Sequence, residues 1–323
     1  MTEPVRLLAD VGGTNARFAL VTGARGMPQR ELTLPTIDFP NLVDAAEHYL
    51  RQCGSPKVLE GAVAIANPIT GDWLKMTNHH WAFSIEETRK RLGFERLLLI
   101  NDFTALAMAL PAIPQRDLRK VGGGEPVAGA ALALIGAGTG LGVSGLFPTG
   151  DGRLVPIAGE GGHVTMCAAN AREAEIIETC RLEHPHVSAE RVISGMGLTN
   201  LYQAIAKLAG ATPQPLTPAD VTHRGLADSD PFCAEALQVF CAMLGSVSGN
   251  LVLTLGARGG LYIGGGIVPR LGEYFERSPF RARFEAKGRF TSYLAPVPAY
   301  VIHAQNPAFL GTAIALGVQP QGD

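Results

Sequence analysis

The stretch that decides the fold is LLADVGGTNARFAL, residues 7–20. An apolar run typical of a strand carries an acid at Asp10, breaks at Gly12 and Gly13, and resumes at Ala16 as a second apolar run. Two glycines at such a break are explained by a hairpin turn, because glycine tolerates the positive φ angles of tight turns. The acid is harder to explain, since an unpaired buried carboxylate is costly. Asp10 therefore predicts a bound cation, such as Mg²⁺ held directly or through water.

The same pattern occurs again in ALALIGAGTGLGVSGLF, residues 131–147. Gly138 and Thr139 lie between two apolar runs, as Gly13 and Thr14 do, which predicts an internal duplication. Backbone N–H groups of a glycine turn can approach a phosphate closely. The common nucleotide motifs do not fit, since GAGTGLG has a glycine at every second position and both turns lead into a strand rather than a helix. A P-loop enzyme or a nicotinamide dehydrogenase is thereby disfavoured.

Composition narrows the class of partner. The chain has 323 residues, 46% of them apolar and 17% charged, and a net charge of −2. A sizeable core can form, whereas nucleic acid and anionic membranes would need a basic surface. The long uncharged run at residues 236–257 contains small polar residues, so a buried helix is favoured over a membrane span.

The beginning of the chain and its cysteines bear on the compartment. No basic region followed by an apolar segment opens the sequence, so no secretory signal is expected. Five cysteines form no C-x-x-C pair, which indicates free buried thiols and a cytoplasmic protein rather than a disulfide framework or a zinc ribbon.

Strands and helices alternate along the chain, which predicts an α/β layer structure. The predicted strands cover residues 5–11, 16–21, 58–66, 97–100, 260–263 and 300–303, with a further strand, turn and strand in 131–147. The predicted helices cover residues 41–53, 84–93, 171–183, 196–208, 231–255 and 307–316. A passage rich in proline and glycine at residues 111–129 predicts a domain boundary.

Six segments carry a family resemblance. In chain order, from residue 7 to residue 270, they are LLADVGGTNARFAL, INDFTALAMAL, GAGTGLG, AGEGGH, ERVISGMGLTNLY and GGGIVPR. Together they resemble the bacterial glucokinases of the actin-like sugar-kinase superfamily, over essentially the whole chain. The resemblance implies a two-domain actin-like ATPase fold of the ribonuclease H-like type, with a cleft between the domains. The small α/β domain would comprise residues 1–112 and 304–323, and the large one residues 113–303.

The resemblance also implies an activity. The family transfers a phosphoryl group from ATP to the 6-hydroxyl of D-glucose with Mg²⁺, in the cytoplasm, and suggests a homodimer. The implied ATP-binding residues are Asp10, Val11, Gly12, Gly13, Thr14 and Asn15 in the first turn, Gly138, Thr139 and Gly140 in the second, and Gly264, Gly265 and Gly266 near the adenosine.

Asn101 and Asp102 follow a predicted buried strand and precede a helix, a position where α/β proteins bind ligands. Both residue types are also favoured helix N-caps, and the residues alone leave these two interpretations open. The resemblance implies that Asp102 accepts the proton of the sugar 6-hydroxyl and that Asn101 binds the sugar.

The segment from Glu160 to His163 has the spacing of a helical di-iron ligand pair. The two glycines between them make a helix there improbable. The resemblance instead assigns Glu160 and His163 to sugar hydroxyls and Glu190 to the hydroxyls near the anomeric carbon. Asn78 is either a further sugar contact or a loop residue.

Departures from related families separate the alternatives. Sugar kinases of the repressor-kinase group carry a cysteine-rich zinc site soon after a Gly-His element. Here the segment after His163, VTMCAANARE, contains the single cysteine Cys167, so a zinc site is not expected. The remaining rivals are a kinase for another hexose or phosphoryl donor, a sugar-binding regulator without turnover, and a filament-forming ATPase, in which Glu160, His163 and Glu190 would have no role.

Overall fold

Two large mixed sheets and a small two-stranded sheet organise the protein in a computed structural model that describes residues 3–77 and 79–320. The strands are β1 (Val5–Val11), β2 (Asn15–Thr22), β3 (Gln29–Pro35), β4 (Val58–Ile65), β5 (Trp73–Lys75), β6 (Ala82–Ser84), β7 (Arg96–Asn101), β8 (Leu118–Lys120), β9 (Leu132–Ala137), β10 (Leu141–Pro148), β11 (Leu154–Pro156), β12 (Leu261–Gly264) and β13 (Ala299–Ile302). The α/β class predicted from the sequence is confirmed. Asn78, a candidate sugar contact, lies outside the described residues.

The helices alternate with these strands. They are α1 (Leu42–Gln52), α2 (Ile85–Arg91), α3 (Asp102–Ala109), α4 (Ala171–Arg181), α5 (Gly195–Leu208), α6 (Pro218–Leu226), α7 (Pro231–Leu255), α8 (Val268–Leu271), α9 (Glu273–Arg277), α10 (Phe280–Glu285), α11 (Thr291–Leu294) and α12 (Ala308–Ala315). Short 3₁₀ turns connect several of them, including one at Gly161–His163.

The chain divides into two compact units, Met1–Asp117 with Ala304–Asp323, and Leu118–His303. The strand order is β3-β2-β1-β4-β7 in the first sheet and β11-β10-β9-β12-β13-β8 in the second. In each sheet an antiparallel hairpin, β1–β2 or β9–β10, is followed by two parallel strands, β4 and β7 or β12 and β13. This repeated arrangement is the internal duplication predicted from the two glycine turns.

Both faces of the first sheet are covered. Leu7 and Val11 point from β1 into a core that includes Tyr49 of α1, while Leu8 points to the other face and packs with Phe309 of α12. Helix α12 comes very close to α3, because a Cβ at Gly311 would lie 1.8 Å from the carbonyl oxygen of Ala105. The last helix of the chain thus completes the core around the first strand.

The second unit is built around α7. In the part of the chain that the structure describes, α7 is the one helix long and apolar enough to cross a membrane, and 72% of its most apolar stretch is buried in the protein. Asp230 caps its start by accepting from the N–H groups of Phe232 and Cys233, and Gly256 ends it at φ 62°. The buried helix predicted for this run is confirmed.

Several elements depart from the sequence predictions. Strand β3 and helix α6 were not predicted, and neither were the short helices α8 to α11. Strand β3 is polar and mostly exposed, so it lacks the apolar alternation that marks a strand. The prediction of buried thiols holds for Cys180, Cys233 and Cys241. It is wrong for Cys167, which lies exposed in the loop before α4, and Cys53 is only half-buried.

Candidate active site

Asp10 has a cationic partner within the protein. It lies opposite Arg17 in the β1–β2 ladder, and Nη1 of Arg17 is 3.0 Å from Oδ2 of Asp10. Burial raises the pKa of Asp10 above its ordinary value, while the charge and hydrogen bond of Arg17 act in the opposite direction. The sequence argument that Asp10 needs a bound cation as its partner was therefore incomplete, because Arg17 already supplies a positive charge.

The donor set at Asp10 still fits Mg²⁺. Arg17 contacts Oδ2, and Oδ1 is a second acceptor on the same carboxylate. Mg²⁺ commonly takes one or two protein carboxylates and completes its shell with water and substrate phosphates. No group of three or more His, Cys, Asp or Glu side chains that could hold a metal ion occurs within residues 3–77 and 79–320. Asp10 thus fits a metal that arrives with a phosphate ligand rather than one enclosed by the protein.

The first glycine turn is held by its own backbone and by a neighbouring loop. Gly12 donates its N–H to the carbonyl of Asn15 at 2.9 Å, and Thr36 donates to the carbonyls of Gly13 and Thr14, each at 3.0 Å. A Cβ at Gly12 would only come within 3.7 Å of the Asn15 carbonyl, and φ of Gly12 is outside the left-handed region. Neither packing nor backbone conformation requires glycine here, so the free space suits a close ligand.

The second glycine turn is held at both ends. The N–H of Gly138 donates to the carbonyl of Gly140, and the N–H of Gly195 donates to the carbonyl of Gly138, both at 2.8 Å. A Cβ at Gly138 would meet nothing within 4 Å, whereas a Cβ at Gly140 would lie 2.3 Å from Oε2 of Glu190. The two glycines therefore serve different purposes, and Gly138 is the one that faces open space. Thr139, the candidate hydroxyl of this turn, is exposed between them.

The third glycine segment packs beside the second turn. Gly264 is paired with Gly136 in the parallel β9–β12 ladder. Gly265 has φ 80°, and a Cβ there would lie 2.3 Å from the carbonyl oxygen of Ala137. The ATP-binding candidates at residues 138–140 and 264–266 thus lie side by side at the carboxyl ends of adjacent parallel strands, and Gly266 is exposed there.

Three candidate sugar ligands come together in the second unit. Glu160 precedes a single 3₁₀ turn at Gly161–His163, rather than an α-helix. The N–H of Glu190 donates to the carbonyl of Gly162 at 2.9 Å, and Nδ1 of His163 is 4.0 Å from Oε1 of Glu190. Glu160 and His163 are exposed and Glu190 is half-buried, so a ligand can reach all three side chains.

Gly161 and Gly162 allow this loop to pack closely against β10. A Cβ at Gly162 would lie 1.9 Å from the carbonyl oxygen of Leu141, and one at Gly161 would lie 2.8 Å from Cγ1 of Val143. Any side chain would push the loop away from β10. Glycine here brings Glu160 and His163 against the strand that follows the second turn.

Asn101 and Asp102 have distinct local roles. Oδ1 of Asn101 caps α3 by accepting from the N–H groups of Phe103 at 2.9 Å and Thr104 at 3.1 Å. Asp102 is the first residue of α3, and its Oδ1 accepts from the N–H of Phe103 at 2.9 Å. The N-cap interpretation is thus correct for Asn101, whose side-chain oxygen is occupied by the helix. Asp102 lies where a helix N-terminus favours a negative charge.

The candidates of the first unit share one edge of its sheet. Val11 of β1 is opposite Ile65 of β4, which is opposite Asn101 of β7. The carboxyl ends of these three parallel strands therefore bring the first glycine turn and the Asn101–Asp102 pair to the same edge. Sequence reasoning missed Arg17 and Gly195. A hairpin register would have placed Arg17 opposite Asp10, but no local signal ties Gly195 to Gly138.

The chain folds into two α/β units of the same design, each with a glycine turn after its first strand. The second unit also carries clustered carboxylates and an imidazole. These features define a two-domain sugar kinase. The chain belongs to the glucokinase family: the family model described as Glucokinase matches residues 7–319. A glucokinase of Chromobacterium violaceum is 54% identical over 320 residues, covering 98% of this chain and 91% of the relative.

Solved structures agree with this assignment. A glucokinase from an Antarctic psychrotroph is 36% identical and has a TM-score of 0.88, covering 97% of this chain and 98% of that one. A ROK family glucokinase from Streptomyces griseus, solved with glucose and AMPPNP, shares the fold at 16% identity, with a TM-score of 0.63 and coverage of 96% of this chain and 97% of that one. The family and the sugar-kinase fold implied by the six motifs are confirmed.

Proposed function

We propose that this protein is a glucokinase that transfers the γ-phosphoryl group of ATP to the 6-hydroxyl of D-glucose, giving glucose 6-phosphate and ADP. The observation that carries the proposal is the 54% identity to a glucokinase over 98% of the chain. The glycine turns support it, since Gly12 and Gly138 leave open space that neither packing nor backbone geometry explains. The Streptomyces griseus structure with glucose and AMPPNP supports the pairing of a sugar and a nucleotide on this fold.

Phosphoryl transfer depends mainly on positioning and on stabilisation of charge. The first turn, Asp10 to Asn15, and the second, Gly138 to Gly140, would bind the phosphates through backbone N–H groups, with Gly264 to Gly266 near the adenosine. Mg²⁺, held by Asp10 directly or through water together with the phosphates, would neutralise developing negative charge.

Asp102 would act as the general base. Its carboxylate accepts the proton of the 6-hydroxyl while that oxygen forms a bond to the γ-phosphorus and the bond from phosphorus to the ADP oxygen breaks. The position of Asp102 at the start of α3 supports this role, because the carboxyl ends of β1, β4 and β7 bring it to the same edge of the sheet as the first glycine turn.

The sugar would be bound by Asn101, Glu160, His163 and Glu190. Each ionised carboxylate can accept from two hydroxyls, so a polyol suits this set of ligands. Oδ1 of Asn101 caps α3, and its amide nitrogen donates to the carbonyl of Asn67 at 3.5 Å, so the second N–H of this amide would be the donor for the sugar. An analogue that lacks a hydroxyl would leave a polar group unpaired, which is the physical basis for selectivity.

The compartment, oligomeric state, pathway and domain bounds of the enzyme are inferred from the family. We propose a cytoplasmic homodimer that feeds glucose into glycolysis, with domains of residues 1–112 with 304–323 and 113–303. The net charge of −2 and the neutral balance of the chain support small-molecule substrates rather than nucleic acid.

A coupled assay tests the function. ADP production is followed with ATP, Mg²⁺ and, in turn, glucose, fructose, mannose, glucosamine or no sugar. The donor is then changed to ADP or polyphosphate, and the formation of glucose 6-phosphate is followed instead. Turnover should be fastest with glucose and ATP and should vanish without sugar. Faster turnover with another hexose or donor would replace the assignment, and sugar binding without turnover would indicate a regulator.

A further inference from the structure

Glu190 connects two parts of the site within the second unit. Its Oε2 accepts from the backbone N–H of Leu141 at 2.9 Å, and Leu141 is the first residue of β10, directly after the glycine turn at residues 138–140. Its Oε1 lies 4.0 Å from Nδ1 of His163, a candidate sugar ligand. A single carboxylate thus faces the phosphate turn with one oxygen and the sugar ligands with the other.

Gly140 makes room for this carboxylate. A Cβ at Gly140 would lie 2.3 Å from Oε2 of Glu190 and 3.2 Å from its Cδ. The φ angle of Gly140 is outside the left-handed region, so the backbone conformation does not require glycine. The space it leaves is the space that the Glu190–Leu141 hydrogen bond uses.

The backbone around Glu190 holds the other end of the turn. The carbonyl of Glu190 accepts from Oγ of Ser194 at 2.7 Å. The N–H of Gly195, which follows Ser194, donates to the carbonyl of Gly138 at 2.8 Å. The N–H of Glu190 donates to Gly162 in the loop that carries His163, at 2.9 Å. The segment from Glu190 to Gly195 therefore holds both ends of the turn and the sugar loop together.

We infer that Glu190 is a positioning residue for the phosphate turn, and that glucose, by fixing its carboxylate, raises the affinity of the turn for ATP. This inference rests on the proposed function. The side chain of Glu190 is 25% exposed, so a sugar hydroxyl can reach Oε1 and help to hold the carboxylate where Oε2 accepts from Leu141. Coupling of this kind is reciprocal and is commonly about 5- to 150-fold in affinity.

Calorimetric titration of the magnesium complex of AMPPNP, with and without saturating glucose, tests the inference. Wild-type protein should bind AMPPNP at least about fivefold more tightly with glucose. In Gly140→Ala the added methyl displaces the carboxylate, and the ratio of the two affinities should fall towards one. Gly150→Ala is the matched control, since a Cβ there meets nothing within 4 Å, and it should keep the wild-type ratio.

A second pair of variants separates positioning from folding. Glu190→Gln retains an oxygen that can accept from Leu141, so the KM for ATP should stay within about twofold while the KM for glucose rises. Glu190→Ala removes the acceptor, and the KM for ATP should rise about tenfold or more. Melting temperatures report whether each variant is folded.

The outcomes discriminate between the two proposals. A wild-type ratio retained in Gly140→Ala, or a ratio of one in wild-type protein that binds glucose, would overturn the coupling and leave the glucokinase assignment intact. Equal KM values for ATP in Glu190→Gln and Glu190→Ala would also overturn it. Wild-type protein that binds no glucose would overturn both proposals.

Discussion

Nη1 of Arg17 lies 3.0 Å from Oδ2 of Asp10, directly across the β1–β2 hairpin. The side chains are 36% and 19% exposed, so the pair is only partly screened by water. The strand that carries the predicted metal ligand thus faces a strand that carries its counter-charge. When no other cation is near, the charge of Arg17 offsets the free-energy cost of partly burying the Asp10 carboxylate.

Replacing Arg17 by Ala should lower the free energy of unfolding at pH 7 by about 1–2 kcal/mol, because Asp10 loses its charged partner. Urea unfolding measures the change, and Arg17→Lys should lose less. In an Asp10→Asn background the cost of Arg17→Ala should largely disappear. An equal cost in both backgrounds would show that Arg17 acts through other contacts.

Gly138→Ala should affect ligand binding without affecting folding. The added methyl meets nothing within 4 Å in the protein, so the melting temperature should stay unchanged. It occupies the space proposed for the phosphates, so the KM for ATP should rise about tenfold or more, equivalent to about 1.4 kcal/mol. Gly265→Ala is the contrast, since its φ of 80° and its contact with Ala137 should also cost stability. A destabilised Gly138→Ala with a normal KM would contradict this account of the turn.

Asp102→Asn should separate catalysis from binding. The asparagine oxygen can still accept from the N–H of Phe103, so the start of α3 should persist. Loss of the general base should reduce kcat by about 10²- to 10⁴-fold. Steady-state kinetics and calorimetric titration with glucose give the two quantities. Near-normal turnover in a folded variant would remove Asp102 from its proposed role.

Glu173 should make stability depend on pH at a place outside the candidate site. Its side chain is 3% exposed and pairs with Arg283. Burial acts to raise its pKa, but hydrogen bonds from Arg283 and from the N–H of Ala169 outweigh burial and hold the pKa below its ordinary value of 4.5. The ionised pair therefore stabilises the fold above pH 4.5, and this contribution is lost as the pH falls through the lowered pKa.

Glu173→Ala should thus cost about 3–5 kcal/mol at pH 7. The difference from wild type should narrow in urea unfolding curves below pH 4, and kcat at pH 7 should be unchanged in the folded fraction. A difference that stays constant as the pH falls below 4 would mean that the loss comes from packing instead.

The sequence was most informative where structure is local. Apolar runs on either side of Gly12 and Gly138 predicted both hairpins, and the alternation of strands and helices predicted the α/β layers. These patterns depend on side-chain period and on turn chemistry within a few residues. Strand β3 was not predicted, because an exposed edge strand has little need for apolar residues.

Long-range relationships could not be predicted in this way. The hydrogen bond between Glu190 and Leu141 joins residues that are 49 positions apart, and it depends on how the segment after α4 folds back on β10. The sequence left open whether Asn101 and Asp102 cap a helix or bind a ligand, because both residue types are favoured N-caps. The fold makes Asn101 the cap by ending β7 at Asn101 and beginning α3 at Asp102.

The position of α12 has a consequence for biosynthesis. The face of the first sheet that carries Leu8 and Ala62 is covered by Phe309 and Ala313, which the ribosome adds some three hundred residues after Leu8. Leu118–His303 forms a compact unit of its own and is synthesised before α12. At about 5–20 residues per second, the N-terminal sheet waits on the order of ten seconds or more for its covering helix. During that interval its apolar face is exposed, which makes nascent chains of this protein candidates for chaperone binding.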